Sequence, residues 1–406
     1  MARDNASQMA RDNTSQMARD NASQMARDNA SQMANSNSLG IHKAPHDTRV
    51  VVAMSGGVDS SVVAAMLHEE GYQVIGLTMQ LYDHGEALRK KGACCAGQDI
   101  YDARQVADTL GFPHYVLDYE SQFRDDVIEN FADSYVRGQT PIPCVRCNQT
   151  VKFRDMLEAA QKLEADILAT GHYVQNKEGK LYRGVDPRKD QSYFLFATTP
   201  RQLEMLRFPL GGLYKETTRE KAEALGLDVA DKPDSQDICF VPDGDYAALV
   251  ARLRPEACQS GDIEHVDGQI LGQHEGIIGY TIGQRRGLGI GGTAEPLYVV
   301  DLDPVRNRVI VGPKERLAKS LVYLKEVNWL GSDIQPQAEG RYRVTAKLRS
   351  AAEPALAWLK FGDDGQGELL LEAAQYGIAP GQAAVFYDGE RVLGGGWIIS
   401  AEVLRA

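Results

Sequence analysis

The sequence predicts an α/β fold: a doubly wound parallel sheet, then a small β-rich central α+β domain, then a C-terminal β-barrel. Three observations predict it. Between Arg49 and Gly226, short apolar β-rich runs alternate with segments of helical period, the pattern of strands covered on both faces by crossover helices. One of those strands runs straight into a glycine turn and a helix start, Ser55-Gly56-Gly57-Val58-Asp59-Ser60-Ser61. Beyond Val250 the helices give way to glycine-broken strands over 261–312. Near-continuous strand pattern follows over 321–403, with Asp-Gly turn signals at Asp364-Gly365 and Asp388-Gly389. The expected organisation is a tail over 1–46, the parallel-sheet domain over 47–250, the central domain over 251–318 and the barrel over 319–406.

The tail opens with four copies of the octapeptide Met-Ala-Arg-Asp-Asn-(Ala/Thr)-Ser-Gln over 1–32. Each copy pairs one Arg with one Asp and offers almost nothing apolar, so the segment cannot bury a core and is expected to be disordered. Val50-Val51-Val52 is the first strand, and Val62 to Glu70 continues the helix that the glycine loop begins. Tyr72 to Met79 is a second strand after the Gly71 stop. Gln98 to Leu110 is helical, with Ile100, Ala103, Val106, Ala107 and Leu110 on its apolar side and Gly111 as C-cap. His114 to Leu117 is a strand, Ser121 to Val136 and Val151 to Leu163 are amphipathic helices, Asp166 to Ala169 is a strand and Glu216 to Leu225 a helix. In such sheets ligands bind beyond the carboxyl ends of the strands. The Ser55 loop and Thr170-Gly171-His172-Tyr173 both follow a strand and so fall on that edge.

Composition narrows the function. The 406 residues carry a formal net charge of −12, which argues against broad non-specific binding to nucleic acid but leaves room for a local basic groove. No apolar run is long enough to span a membrane. Six cysteines (Cys94, Cys95, Cys144, Cys147, Cys239 and Cys258) are sparse for this length and suit a reducing cytosol, where close pairs more often do chemistry or bind metal than staple a fold.

The Ser55–Ser61 stretch has the makings of a phosphate cradle. Backbone N–H groups at a helix N-terminus point outward and the helix dipole favours negative charge. Gly56 and Gly57 let the backbone approach a ligand, and Ser55, Ser60 and Ser61 offer hydroxyls. Asp59 suits either a Mg²⁺ that bridges phosphates or a helix cap. The Gly-Lys-Ser/Thr ending of a Walker A loop is missing; the spacing resembles the PP-loop of ATP pyrophosphatases. A tight strand-to-helix turn without a ligand is the plainer alternative.

Pro141-Ile142-Pro143-Cys144-Val145-Arg146-Cys147-Asn148 reads as an extended loop between two helices, held open by its prolines. Cys144 and Cys147 form a C-x-x-C pair beside Arg146, a setting that favours thiolate. Cys239 lies far along the chain in a second polar loop, Asp234-Ser235-Gln236-Asp237-Ile238-Cys239-Phe240. Three readings fit: persulfide and disulfide chemistry between two thiols, a zinc or iron–sulfur site with a third cysteine, or inert buried cysteines. Cys94-Cys95 is a poor ligand pair and a strained disulfide, and Cys258 has no motif around it.

Five motifs in order carry a resemblance. Ser55-Gly56-Gly57-Val58-Asp59-Ser60, Thr170-Gly171-His172-Tyr173, Lys189-Asp190-Gln191-Ser192-Tyr193-Phe194-Leu195, Ser235-Gln236-Asp237-Ile238-Cys239-Phe240 and Gly279-Tyr280-Thr281-Ile282-Gly283-Gln284-Arg285-Arg286-Gly287-Leu288 together resemble the bacterial tRNA-specific 2-thiouridylases, the MnmA/TrmU family, over roughly residues 48–403. The resemblance implies a Rossmann-like PP-loop domain and ATP-dependent thiolation of the wobble uridine, position 34, of tRNA. The uridine C2 oxygen attacks ATP, pyrophosphate leaves, and a cysteine persulfide replaces AMP at C2. It implies that Cys239 carries the persulfide and that Cys147 is the nucleophile that then forms a disulfide with it. It implies ATP contacts at Ala53, Met54, Ser55, Gly56, Gly57, Val58, Asp59, Ser60, Met79 and Gly171. Its tRNA contacts fall on His172, Lys189, Asp190, Gln191, Arg341, Tyr342 and Gln382. A persulfide donor, such as a cysteine desulfurase or a sulfur-relay protein, and a cytoplasmic setting follow.

The chain departs from that family at one place. Much of the family reads Pro-Asn-Pro-Asp where this chain reads Pro141-Ile142-Pro143-Cys144, so a thiol replaces a carboxylate near the target base. The exchange also makes Cys144, Cys147 and Cys239 a candidate cluster for iron and sulfur (4Fe–4S with one open iron). Two other classes fit less well: an ATP-dependent amidating ligase, which needs no thiol, and a metal-holding nucleic-acid binder with a decayed loop, which needs no intact Ser-Gly-Gly-x-Asp-Ser. Arg341, Arg343, Lys347 and Arg349 are expected on one face of a strand, as a basic stripe.

Overall fold

A computed structural model of the chain describes residues 36–82, 95–233, 238–241, 244–291 and 295–403. The octapeptide repeats, Cys94 and the Asp234–Asp237 part of the second cysteine loop lie outside the described residues.

Five strands form one parallel sheet: β1 (Arg49–Ala53), β2 (Gln73–Gln80), β3 (His114–Asp118), β4 (Ile167–Ala169) and the short β7 (Leu206–Arg207), in the order β3-β2-β1-β4-β7. The strands are apolar because both faces are covered. Val50, Val52, Val74 and Ile167 meet α1 (Val58–Glu69), α2 (Cys95–Leu110) and α6 (Lys215–Ala224) on one side. Val51, Leu77 and Leu168 meet the opposite layer, which includes residues of α4. Each such side chain, fully buried, contributes about 1.5–3 kcal/mol. α3 spans 120–136 and α4 spans 143–162, each with a π-helical stretch inside, Arg124–Glu129 and Asn148–Asp155. α5 is Pro200–Met205 and α7 is Tyr246–Leu253.

Two expectations are corrected here. Residues 36–46, assigned by composition to the tail, pack on the sheet domain. Leu39 is buried, Asn37 Oδ1 accepts from the backbone N–H of Leu39 and Ile41, and Lys43 pairs with Asp166 at 2.5 Å. The Pro143 segment is not an extended loop. Pro143 is the first residue of α4, where it has no N–H to lose and its fixed φ suits the helix. Cys144 and Cys147 therefore stand on the opening turns of a helix.

The central sheet runs β10 (Tyr298–Asp303), β11 (Arg308–Gly312), β8 (Gly261–His265), β9 (Ile270–His274). After it, β12 (Ala318–Trp329), β13 (Tyr342–Lys347), β14 (Ala355–Phe361), β15 (Gly367–Tyr376), β16 (Ala383–Asp388) and β17 (Arg391–Glu402) make the expected barrel, with six strands. Antiparallel pairing of β12 with β17 closes it.

The sequence gives no warning of one connection. Directly after β4 the chain forms a hairpin, β5 (Val174–Lys177) and β6 (Lys180–Arg183), that joins the barrel's sheet through Tyr182 and Arg391. Arg183 N donates to Glu390 O at 2.9 Å, and Asp333 takes ion pairs from Arg391 at 2.6 Å and Lys180 at 2.9 Å. One continuous core then holds sheet residues Val51 and Leu168 together with barrel residues Val385, Tyr387 and Trp397.

Candidate active site

The glycine loop leaves β1 at Ala53 and enters α1 with Gly57 as N-cap. Gly56 has φ +73, and a Cβ there would lie 2.1 Å from Asp99 O on α2, so only glycine fits. Hydroxyls hold the turn: Ser60 Oγ accepts from Ser55 N at 3.1 Å, and Ser60 Oγ and Ser61 Oγ donate to Gly57 O at 3.2 and 3.0 Å. Val58 is buried and Met54 is fixed by its N–H to Leu77 O at 2.9 Å. From the β4 side, Gly171 lies so close that a Cβ would be 3.0 Å from Ser60 N.

Asp59 is not a helix cap. Its Oδ1 accepts from Tyr173 OH at 2.8 Å and from buried Lys215 Nζ at 2.7 Å. A second cation, Lys232, donates to Gly56 O at 2.9 Å and pairs with Asp99 and Asp102 at 2.6 Å each. The cradle is thus flanked by two lysines, in addition to its backbone donors. Polyphosphate suits such a site, and Asp59, with a third of its side chain exposed, suits a hydrated Mg²⁺ that takes one carboxylate and phosphate oxygens.

The thiols gather at a cluster that Met79, on the strand paired with β1, also joins. Cys147 is buried among Phe123, Val127 and Val151, with Met79, Tyr82 and Phe240 packed on the same cluster. Phe240 anchors the Cys239 loop by edge-on contacts to Phe123 at 5.7 Å and Phe131 at 5.3 Å. The Tyr82 phenol donates to Cys239, whose thiol, like that of Cys144, is solvent-exposed. Burial pushes the Cys147 thiol up to about 12, opposed by the Lys152 ammonium. Although Cys239 keeps an exposed surface, the protein packed around its sulfur also raises its thiol, again with Lys152 opposing. Lys152 itself titrates above its usual range: burial works against its charge, but Cys147, Cys144 and Cys239 together outweigh that.

Cys144, Cys147, Cys239 and Cys258 are free thiols, so the Cys147–Cys239 disulfide is not formed. Nor is the iron–sulfur expectation met. Among the described residues no group of three or more His, Cys, Asp or Glu side chains is arranged to hold a metal. No step is assigned to a cluster.

His172 is enclosed between Phe153 and Phe208, with Nδ1 2.8 Å from Thr170 Oγ1. Burial first, then the charge of Lys152, holds it neutral, with its pKa lowered to about 3. Asp190 caps its own loop: Oδ1 accepts from Gly184 N and Ser192 N at 3.1 Å each. Gln191 Oε1 accepts from Tyr173 N at 2.9 Å, and half-buried Lys189 follows Asp186 in the same turn. Gln382 Nε2 donates to Thr140 O at 3.0 Å, tying the barrel to the segment before Cys144. Tyr342 stacks with Trp329 and Phe361, and Arg341 pairs with Glu339 at 3.2 Å. The register Thr345↔Tyr387 sets Tyr342 and Gln382 toward opposite ends of neighbouring strands, roughly 25 Å apart along the strand direction. The basic stripe faces outward as expected, because Val344, Ala346 and Leu348 take the inward positions.

The chain matches three family models in sequence: the tRNA methyl transferase HUP domain over residues 48–243, the tRNA methyl transferase PRC-barrel domain over 249–313 and the aminomethyltransferase beta-barrel domain over 319–398. The tRNA-specific 2-thiouridylase MnmA of Rhodospirillum centenum is 62% identical over 382 residues, covering 91% of this chain and 96% of that one. The chain belongs to the MnmA family. MnmA proteins of Ruegeria sp. and Paracoccus denitrificans are each 60% identical over 369 residues, covering 89% of this chain and 97% and 94% of theirs.

Three lysines of this MnmA-family site escaped the sequence analysis. Lys215 and Lys232 act on Asp59 and Gly56 from far along the chain, and no local pattern marks them. Lys152 follows Cys147 by five residues, a spacing that a regular α-helix does not stack. No helix of the described residues is long and apolar enough to cross a membrane.

Proposed function

We propose that the chain is an ATP-dependent tRNA-uridine 2-sulfurtransferase that converts the wobble uridine, position 34, to 2-thiouridine. One observation carries the reading. Met79, near the end of the strand beside the glycine loop, packs on the same cluster as Cys147 and Phe240, which supports a common site for the phosphates and the thiols.

ATP would lay its phosphates on Ser55–Ser60; Lys215 and Lys232 are already paired with Asp59, Asp99 and Asp102, so a Mg²⁺ that Asp59 would hold would supply the balancing charge. The C2 oxygen of the uridine attacks the α-phosphorus, pyrophosphate departs, and C2 now carries AMP as a leaving group. The terminal sulfur of a Cys239 persulfide attacks C2, and the C2–O bond breaks to release AMP. The Cys147 thiolate then attacks the Cys239 sulfur. The S–S bond breaks, its electron pair stays with the sulfur now on C2, and a Cys147–Cys239 disulfide forms for later reduction. Dividing the displacement in this way replaces one difficult step by easier ones. His172, Lys189 to Gln191, Arg341, Tyr342 and Gln382 form the tRNA-facing set. The persulfide comes from a cysteine desulfurase or a sulfur-relay protein in the cytoplasm.

Incubation with ATP, a persulfide donor and unmodified tRNA, followed by nucleoside analysis, should yield 2-thiouridine. Cys239→Ser should abolish transfer and keep ATP binding; thiolation retained in that variant would remove Cys239 from the mechanism.

A further inference from the structure

We propose that Lys152 is a positioning residue of the sulfur-transfer site: its ammonium stabilises the sulfur anion that Cys239 and Cys147 present in turn, and the π-helical turn of α4 aims it there. The inference rests on the sulfurtransferase reading above. In an uninterrupted α-helix, residues 150 and 151 would lie over Cys147 and 152 would turn away. The stretch Asn148–Asp155 is π-helical, with bonds from i+5 to i and a wider turn, so residue 152 swings back toward the face that carries Cys147, beside Val151. The backbone irregularity therefore has a side-chain consequence at the thiols.

The surroundings suit an anion rather than a carboxylate partner. Val151 and Phe153, on either side of Lys152, are fully buried, and among the described residues no carboxylate pairs with Lys152. The titratable groups that face it are Cys144 and Cys147 on its own helix, Cys239 on the loop anchored by Phe240, and His172 beyond β4, held neutral. Tyr82, from the end of β2, adds a phenol donor on Cys239. A thiolate on buried Cys147 and a persulfide anion on exposed Cys239 are each one negative charge, and a fixed cation nearby favours the charged form. One ammonium can serve both, because the negative charge resides on one sulfur after the other. Lys152 supplies charge and exchanges no proton or electron.

The test needs neither tRNA nor ATP turnover. The full chain, Lys152→Met and Lys152→Arg are alkylated with iodoacetamide from pH 6 to 10, and modification at Cys147 and Cys239 is followed by mass spectrometry. Because the Cys147 midpoint of about 12 lies above this range, the rate is the readout: removing the cation should slow alkylation about tenfold or more at each pH, since a one-unit rise is a tenfold loss of thiolate. Arginine should restore the rate to within about threefold, and ATP affinity should be unchanged in both. Lys152→Gln gives the same comparison should the methionine variant not fold. A neutral variant alkylated at the wild-type rate across the range overturns the proposal. A wild-type chain that makes no 2-thiouridine yet shows this lysine effect would overturn the sulfurtransferase reading instead.

Discussion

Lys215 Nζ lies 2.7 Å from Asp59 Oδ1, joining the first helix turn of the glycine loop to a buried lysine 156 residues further on. The pair is part of a small network, since Tyr173 OH donates to the same oxygen and to Thr218 Oγ1 at 2.9 Å. Lys215→Met removes the cation and leaves the carboxylate with a single phenol. The expected loss is about 2 kcal/mol of folding stability, read by urea denaturation, together with weaker ATP binding by calorimetry. The Asp59→Asn, Lys215→Met pair in a double-mutant cycle should be less than additive; simple additivity would remove the coupling.

Gly56 and Gly57 are adjacent yet should respond differently to alanine. At Gly56 the new methyl meets Asp99 O at 2.1 Å with φ at +73, so Gly56→Ala should cost about 3 kcal/mol or more and abolish ATP binding. At Gly57 the nearest atom is Ser55 Oγ at 3.6 Å, so the fold should tolerate Gly57→Ala within about 1 kcal/mol. Phosphate approach should nevertheless suffer. Equal ATP affinity in Gly57→Ala and wild type would move the phosphates away from this turn.

Two buried groups set opposite pH limits. His172 is neutral in the fold with its pKa lowered from 6.5 to about 3 by burial and by Lys152, while the unfolded chain takes up its proton below about 6.5. Its contribution is complete above pH 6.5 and is lost as pH falls toward 3, at up to about 1.4 kcal/mol per pH unit. Cys147 is raised from 9.0 to about 12, so its contribution is complete below pH 9 and is lost as pH rises toward 12. Urea midpoints measured from pH 4 to 11 should fall at both ends. His172→Gln should flatten the acid limb and Cys147→Ala the alkaline one; an unchanged limb in either variant would refute that assignment.

Cys144 stands exposed on the first turn of α4, where much of the family resembled has aspartate. If Cys147 and Cys239 suffice for the sulfur steps, Cys144→Ser should thiolate tRNA within about threefold of wild type. A loss like that of Cys239→Ser would bring the third thiol into the chemistry.

The parts legible in the sequence are those whose signal is local. Strand, paired glycines and helix start mark Ser55–Ser61, because the residues that make the turn are also the ones that would cradle phosphate. Outward alternation on β13 was readable for the same reason. Pro143 was misread: a proline both blocks a helix interior and suits its first position, and only the fold says which applies. Lys152 was hidden by register, since a π-turn leaves no composition mark. Lys215 and Lys232 depend on pairing across more than 130 residues. The hairpin β5–β6 turns at Glu178-Gly179, both at positive φ, a weaker turn signal than Asn-Gly or Asp-Gly.

That hairpin has a mechanical meaning. It begins two residues after His172 and ends bonded to the barrel at Glu390 and Arg391, so it splints the phosphate edge of the sheet to a domain encoded two hundred residues later. Swinging the barrel would unzip backbone pairing and break the Lys180–Asp333–Arg391 clasp. A partner seated on the barrel therefore meets a gauge block of fixed span, and selects or fails by its own length and bend rather than by closing the protein around itself.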